Sequence, residues 1–171
     1  MHLSAKGTLT LLVALLPTAN SYTVAFFSGK NCNPDTRTGV QCGGIDQVTC
    51  CQGLEGDLYV SVGDDASWGY SMQDGDPCGI VLGSGEGCYS ADNGIEVITG
   101  GSVVGLVDRA EGQRSEPPKV AKVDSWFYRN GTEKYTLPID SDDGRFFRSL
   151  EDQGAQVDFI TSHGQFTRLE E

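Results

Sequence analysis

Apolar and polar side chains alternate along several short stretches between residues 22 and 107. In the first stretch, Tyr22, Val24 and Phe26 take every second position, which is the period of a β-strand. The strands that this pattern predicts are 22–27, 58–62, 79–82, 95–99 and 103–107. Glycine, aspartate and asparagine cluster between them, as at 63–65 and 91–94, and such clusters are typical of turns. Short strands at regular spacing predict a mainly β fold, an antiparallel sandwich or barrel.

The last third of the chain has a mixed pattern. Even spacing of apolar residues predicts strands at 120–128 and 134–139. The polar stretch 108–119, which ends near a Pro-Pro pair, predicts an exposed linker. We therefore expect a β domain at 22–107 and a smaller mixed C-terminal segment at 120–171 that packs on it or beside it.

A short helix is predicted to begin after Ser141, because serine is a favourable N-cap. Apolar residues then follow at the spacing of one helical face: Phe146, Phe147 and Leu150. Gly154 would follow the end of this helix. A closing strand is predicted at 156–160.

Residues 1–21 have the layout of a secretory signal peptide. Lys6 precedes an apolar run at 9–16, and small residues follow it, which is the order found in such leaders. The run is shorter than the about 20 residues that a membrane span needs, and a buried N-terminal helix is the alternative. We expect cleavage after Ser21, with Ala19 as the competing position, and hence a secreted, extracellular protein.

Cysteine usage agrees with export. The six cysteines all lie beyond the leader, at Cys32, Cys42, Cys50, Cys51, Cys78 and Cys88. An even number in an exported chain predicts three disulfides. No Cys-x-x-Cys pair is present, and His163 is the one histidine beyond the leader, so we expect no metal site.

The disulfide pairing is only partly constrained by the sequence. Cys50 and Cys51 are adjacent, so on a strand their side chains point to opposite faces and reach different partners. Cys32 and Cys42 are the natural partners upstream, in either arrangement. The last two cysteines would then close a short Gly-rich loop at 78–88. Each bridge of this kind stabilises by roughly 2–4 kcal/mol.

Composition narrows the class of partner. The chain has 12 Lys and Arg against 24 Asp and Glu, a formal net charge of -12, and a pI near 4.4. Nucleic-acid binders normally carry a basic surface, so we expect no nucleic-acid partner. No later apolar stretch is long enough for a membrane span, so we expect no membrane insertion.

Catalytic constellations are mostly missing. There is no Gly-x-Ser-x-Gly elbow, and His163 lies in a predicted surface turn. Four carboxylates in Gly-rich stretches could serve a glycosidase or a loose Ca²⁺ loop; they are Asp64, Asp65, Asp74 and Asp76. Solvated turn residues are the favoured interpretation of these acids. We therefore expect a non-enzymatic protein without a cofactor.

Three aromatic residues in Gly-rich surroundings are the candidate binding residues. Trp68, Tyr70 and Tyr89 could stack on sugar rings or insert into a partner. The alternative is that they belong to the core.

One modification motif is present. Asn130-Gly131-Thr132 is a glycosylation sequon. It lies between two predicted strands, so we expect it to mark an exposed turn.

Several residues together support a resemblance to a known group. The stretch 23–32, then Cys42, then the Cys50–Cys51 doublet resembles small cysteine-rich secreted proteins of filamentous fungi. The later parts of the same resemblance are 69–71, Cys78, Gly87-Cys88 and 94–97. The alternation of an aromatic-Ser-Gly corner with Gly-rich hairpins is also similar to the Greek-key motifs of βγ-crystallin-like domains.

The resemblance covers residues 22–107 and implies a Greek-key sandwich in an extracellular, non-enzymatic protein of the candidate-effector type. The calcium signature of crystallin-like domains is not reproduced at Asp64-Asp65 or at Asp142-Asp143. Calcium binding is therefore not expected.

The sequence thus predicts an effector or virulence-type protein that binds a host extracellular protein or another cell-surface target. A cell-wall glycan-binding module, with Trp68 and Tyr70 as its platform, is the first alternative. A hydrolase that uses the Asp64–Asp65 pair is the second. A toxin or protease inhibitor that presents the loop 78–88 is the third. The oligomeric state is left open.

Overall fold

The computed structural model describes residues 21–32, 38–91, 97–106 and 118–169. They form twelve strands, two α-helices and a short 3-10 helix at Lys30–Cys32. The strands are β1 Tyr22–Phe27, β2 Thr38–Ile45, β3 Cys50–Gln52, β4 Ser61–Asp64, β5 Trp68–Gln73, β6 Asp76–Ser84, β7 Cys88–Ser90, β8 Gly100–Ser102, β9 Val120–Lys122, β10 Ser125–Asn130, β11 Glu133–Pro138 and β12 Gln165–Arg168. The helices are α1 Asp142–Ser149 and α2 Gln153–His163.

The strands form two sheets. The long sheet has seven strands in the order β12-β11-β10-β2-β1-β4-β7, and the short sheet has five in the order β6-β5-β8-β3-β9. Pairing is antiparallel except between β3 and β9, which are parallel. The predicted mainly β sandwich is confirmed, and its Greek-key connectivity stays a prediction.

The main core lies between the two sheets. The long sheet contributes alternate residues from its central strands, including Val24, Phe26, Val40 and Val62. Facing residues include Cys51, Tyr59 and Ile98. The sheets approach closely at Gly101, where a Cβ atom would come within 2.5 Å of Val62 Cγ2. A side chain at this position would push the sheets apart.

The two helices cover a further part of the same face of the long sheet. Trp126 on β10 is paired with Val40 on β2 and contacts both the main core and a second cluster. That cluster joins the strands to the helices through Tyr128, Leu137, Phe147 and Ile160. One face of the long sheet therefore supports two layers, the short sheet and the helix pair.

Helix α1 begins as predicted. The Ser141 side chain accepts a hydrogen bond from Gly144 N at 2.9 Å, which satisfies one of the free N–H groups at the helix start. The helix ends at Ser149, before the predicted glycine stop.

The predicted closing strand at 156–160 is wrong, because these residues belong to α2. Asp152 caps this helix by accepting from Ala155 N at 2.8 Å, and Gly154 lies in its first turn rather than after α1. Val157 and Ile160 are three positions apart and share the face that packs on the sheet. The closing strand is β12 instead, paired with β11.

The predicted strand at 120–128 is two strands. Strand β9 belongs to the short sheet and β10 to the long sheet, so the chain crosses between sheets at Val123 and Asp124. Asp124 holds this crossing, because its N–H donates to Gln41 O at 2.9 Å and its Oδ2 accepts from Gly43 N at 2.8 Å.

The other predicted strands are found wholly or in part. Residues 22–27 form β1, 79–82 lie inside β6, 134–139 overlap β11, and 58–62 overlap an isolated bridge at Tyr59 and the start of β4. Of 95–99, the described residues place Ile98 opposite Tyr59. Residues 103–106 are irregular, because Val104 O and Leu106 N bond to the side chains of Ser102 and Tyr70. Parts of several predicted features lie outside the described residues. They are residues 1–20 of the leader, 92–94 of a turn, 107 at the end of a strand and 108–117 of the linker.

All six cysteines are paired. The disulfides are Cys32–Cys88, Cys42–Cys51 and Cys50–Cys78. Cys42–Cys51 joins the two sheets inside the main core. Cys50–Cys78 lies with Tyr70 on the far side of the short sheet, and Cys32 packs with Phe27 on the far side of the long sheet.

The structure confirms that Cys50 and Cys51 reach different partners, and it corrects the remaining pairing. The predicted Cys78–Cys88 bridge is wrong. Cys78 lies on β6 of the short sheet and Cys88 on β7 at the edge of the long sheet. Cys78 therefore meets Cys50, and Cys88 meets Cys32 near Gly63.

We predict that peptide mapping of the oxidised protein will recover these three bridges. Replacing Cys50 and Cys78 together by alanine should lower the free energy of unfolding by about 2–4 kcal/mol, because the bridge closes a loop with a sequence separation of 28. A cross-linked peptide containing Cys78 and Cys88 would contradict this connectivity.

Candidate functional site

The three aromatic residues singled out by the sequence have packing roles. Tyr70 is fully buried, and its hydroxyl lies 2.9 Å from Ser102 Oγ and accepts from Leu106 N at 2.9 Å. Tyr89 covers the cross-strand glycines Gly69 and Gly83 so closely that a Cβ at either would meet its ring. Trp68 is half-buried and packs beside the Cys50–Cys78 cluster. The structure thus places Tyr70 in the core, which was the alternative interpretation.

Three of the four candidate carboxylates make separate local bonds. Asp64 accepts from Arg129 Nη2 at 2.6 Å and from Lys134 Nζ at 2.8 Å. Asp65 accepts from Thr23 N at 2.7 Å, and Asp76 accepts from Cys78 N at 2.9 Å. Asp74 lies in the exposed turn between β5 and β6. Within the described ranges, no group of three or more His, Cys, Asp and Glu side chains could hold a metal ion.

The remaining residues named from the sequence lie on the surface. His163 is exposed and stacks on Phe159, with ring centroids 4.2 Å apart. Asn130 is exposed at the end of β10. Gly131 and Thr132 form the turn that follows it, as expected for the sequon.

A cleft opens where the helix pair meets the chain before β4, and we call it the seam cleft. It encloses about 340 Å³. The residues that matter for its chemistry are Asp57, Tyr59, Trp126, Phe147, Arg148 and Gln156. The cleft lies against the part of the long sheet where the short sheet ends and the helices begin.

The first wall of the seam cleft is the chain between β3 and β4. Tyr59 pairs with Ile98 and packs on Phe26, with ring centroids 5.2 Å apart. Its hydroxyl donates to Asp57 Oδ2 at 3.1 Å. Burial, together with the charge of Asp57, raises the pKa of Tyr59 well above its usual range. The tyrosine therefore stays neutral.

The second wall comes from β10 and the helices. Trp126 and Phe147 are in tilted contact, with ring centroids 5.3 Å apart. Arg148 follows Phe147 on α1, and its positive charge acts on Tyr59 across the cleft. Gln156 on α2 donates through Nε2 to Leu150 O at 2.8 Å, which fixes its amide.

Two groups of this wall are left without an internal partner. Among the described residues, no carboxylate lies within salt-bridge distance of Arg148. Trp126 Nε1 is buried, and no described residue accepts a hydrogen bond from it. A buried N–H without a partner costs about 1–3 kcal/mol. Because Trp126 Nε1 is covered, the exposed Arg148 is the one of these two groups that can donate to a ligand.

Two further depressions border the chain between β3 and β4, which forms the first wall of the seam cleft. One, of about 530 Å³, shares Arg148 with the seam cleft and is also lined by Lys122 and Asp140. The other, of about 440 Å³, is mostly apolar, with Leu54, Leu58 and Met72 in its lining.

The sequence analysis did not find the seam cleft. Its residues come from six separate stretches of chain, and the polar and aromatic ones among them have ordinary local explanations. Trp126 fits a strand pattern, and Phe147 and Arg148 fit the predicted helix. No spacing in the sequence indicates that Asp57 and Tyr59 lie opposite them.

Comparison with protein-family models, curated proteins and solved structures finds no match for this chain. The structure itself defines a small, cysteine-rich, mostly β protein with three disulfides. Among the described residues, no helix has the length and apolar character needed to cross a membrane.

We predict that Asp64→Asn will destabilise the protein by about 3–5 kcal/mol, because Arg129 and Lys134 would lose their shared counter-charge in a nearly buried setting. Asn tolerates the left-handed backbone at this position, where φ is 64°. Asp65→Asn is the matched control and should cost below about 1 kcal/mol, since the amide oxygen can still accept from Thr23 N. Equal losses in urea unfolding would contradict the structural role of Asp64.

We predict an alkaline loss of stability that depends on Tyr59. In the unfolded chain a tyrosine ionises near pH 10, whereas burial keeps Tyr59 protonated in the folded protein. The contribution of the protonated Tyr59 to the free energy of unfolding is therefore fully present below about pH 10, and it falls as the pH rises beyond that value. Urea unfolding of Tyr59→Phe should show a flatter pH dependence than the unsubstituted protein above about pH 10, and identical slopes would refute the assignment.

Proposed function

We propose that this protein is exported and acts outside the cell, without catalysis, by binding a host or other cell-surface target. The resemblance of its first half to candidate effectors of filamentous fungi supports this proposal. The complete pairing of its six cysteines supports it as well, since stable disulfides are typical of chains that fold in an oxidising compartment.

The observation that carries the binding role is an exposed guanidinium, that of Arg148, in the wall of the seam cleft. Arg148 is exposed and without a carboxylate partner in the described part of the chain. The aromatic side chain of Trp126 lies in the same wall. A concave surface with a few convergent polar groups is the usual form of a recognition site.

Two of the alternative functions depend on arrangements of residues that differ from the observed ones. The hydrolase needs Asp64 and Asp65 as an acid and nucleophile pair, but Asp64 is neutralised by two cations and Asp65 caps the backbone at Thr23. The inhibitor needs a loop closed between Cys78 and Cys88, and these cysteines have other partners. The glycan-binding alternative remains, with a different site from the one expected.

The test is surface binding by the exported chain. The full-length chain is expressed in a secreting eukaryotic host, and the protein in the medium is sequenced, labelled and incubated with purified fungal and plant cell walls. We expect an N-terminus at Tyr22, no free thiols and saturable binding.

The matched control is the same preparation after reduction and alkylation, which should not bind. A product retained in the cytosol with six free thiols, or native protein that binds neither wall, would overturn the proposal.

A further inference from the structure

We infer that the seam cleft binds a neutral saccharide unit of the cell-surface target, an inference that rests on the proposed function. The ligand would pack one face of its ring on the aromatic wall. Its hydroxyl groups would bond to the charged and amide side chains around that wall.

The charges of the seam cleft favour a neutral ligand. Asp57 and Arg148 both line it, so a ligand of either sign would meet one repelling group. Tyr59 stays protonated and adds no charge. The formal net charge of the chain, -12, further opposes anions at long range.

The polar groups favour a ligand rich in hydroxyls. The Asp57 carboxylate accepts hydrogen bonds, the Arg148 guanidinium donates them, and the Gln156 amide oxygen accepts them while its Nε2 donates to Leu150 O. A purely apolar ligand would cover these groups without bonding them, at a cost of a few kcal/mol. A sugar hydroxyl both donates and accepts, and it satisfies all three kinds of group.

The aromatic wall favours a ring-shaped ligand. Trp126 is only partly buried and is braced by Phe147, so its exposed surface is held in a fixed orientation. The C–H face of a sugar ring is the apolar part of an otherwise polar molecule, and an aromatic surface covers it without breaking hydrogen bonds. The volume of about 340 Å³ lies at the lower end of the range for small-molecule sites.

The neighbouring depression predicts a dependence on chain length. It shares Arg148 with the seam cleft and has further polar residues, Lys122 and Asp140, in its lining. An oligosaccharide that occupies the cleft can therefore extend past Arg148. We expect longer oligomers to bind more tightly than a monosaccharide.

The test is isothermal titration of the oxidised, secreted protein with neutral oligosaccharides of chitin, cellulose and β-1,3-glucan, each as monomer, trimer and hexamer. At least one series should bind, with affinity rising with length. Arg148→Ala should weaken that binding by about tenfold or more, since a charge-assisted hydrogen bond contributes about 1.5–3 kcal/mol.

Arg145→Ala is the matched control. Arg145 lies on the same helix, pairs with Asp142 and Asp140 O, and does not line the cleft, so its loss should leave affinity within about twofold. Gln156→Ala and Gln153→Ala form a second matched pair on α2. Gln156 lines the cleft, so its loss should weaken binding, whereas Gln153→Ala is the control. Unchanged thermal unfolding of Arg148→Ala will show that the variant is folded.

The outcomes separate this inference from the proposed function. Wall binding without binding of any neutral oligosaccharide overturns the saccharide assignment and leaves the proposed function standing. Saccharide binding that Arg148→Ala does not weaken, or a preference for anionic polyuronate oligomers, overturns it as well. If the native protein binds neither cell walls nor saccharides, both the saccharide assignment and the proposed function are overturned.

Discussion

One face of the long sheet has more apolar surface than the short sheet can cover, and the architecture follows from this constraint. The face continues in register from Val40 on β2 to Trp126 on β10 and on to Leu137 on β11. Leaving these large side chains in water would forfeit about 1.5–3 kcal/mol for each. The helix pair covers the part of this face on β10 and β11 through Phe147 and Ile160. The seam cleft is the space left where the two covering layers meet.

The disulfides fix this layered arrangement from three positions. One bridge lies between the sheets, and the other two lie on the far side of each sheet. Cys50 and Cys51 make this possible, because neighbours on a strand face opposite ways. One therefore connects β3 to β2 across the core, and the other connects it to β6 on the far side of the short sheet. Cross-links of this kind supplement a core that is modest in a chain of this size.

The fold class and the local features were predictable from the sequence, whereas most of the contacts between distant segments were not. Strand β1 and the Ser141 cap are encoded within a few residues, so alternation and capping rules find them. Residues 156–160 read as a strand because a short apolar run has no clear period, and only the Asp152 cap and the sheet beneath decide for helix α2. The Cys78–Cys88 prediction used closeness in sequence, whereas partner choice depends on which sheet each strand joins.

The candidate site was less predictable from the sequence than the fold. Trp68, Tyr70 and Tyr89 attract notice because they stand among glycines, but those glycines are there to receive the rings, as at Gly69 and Gly83. The side chains that line the seam cleft, among them Trp126 and Arg148, have ordinary sequence surroundings. They become a site only when the helices fold back over β10.

Native-state hydrogen exchange tests most directly whether the long sheet is one platform for both layers. If it is, the slowest amides of β10 and β11 will open with the same free energy and denaturant dependence as those of β1 and β2. If β10, β11 and the helices instead open together at a clearly lower free energy while β1 and β2 stay protected, the two layers do not share a single cooperative support, and the account is wrong.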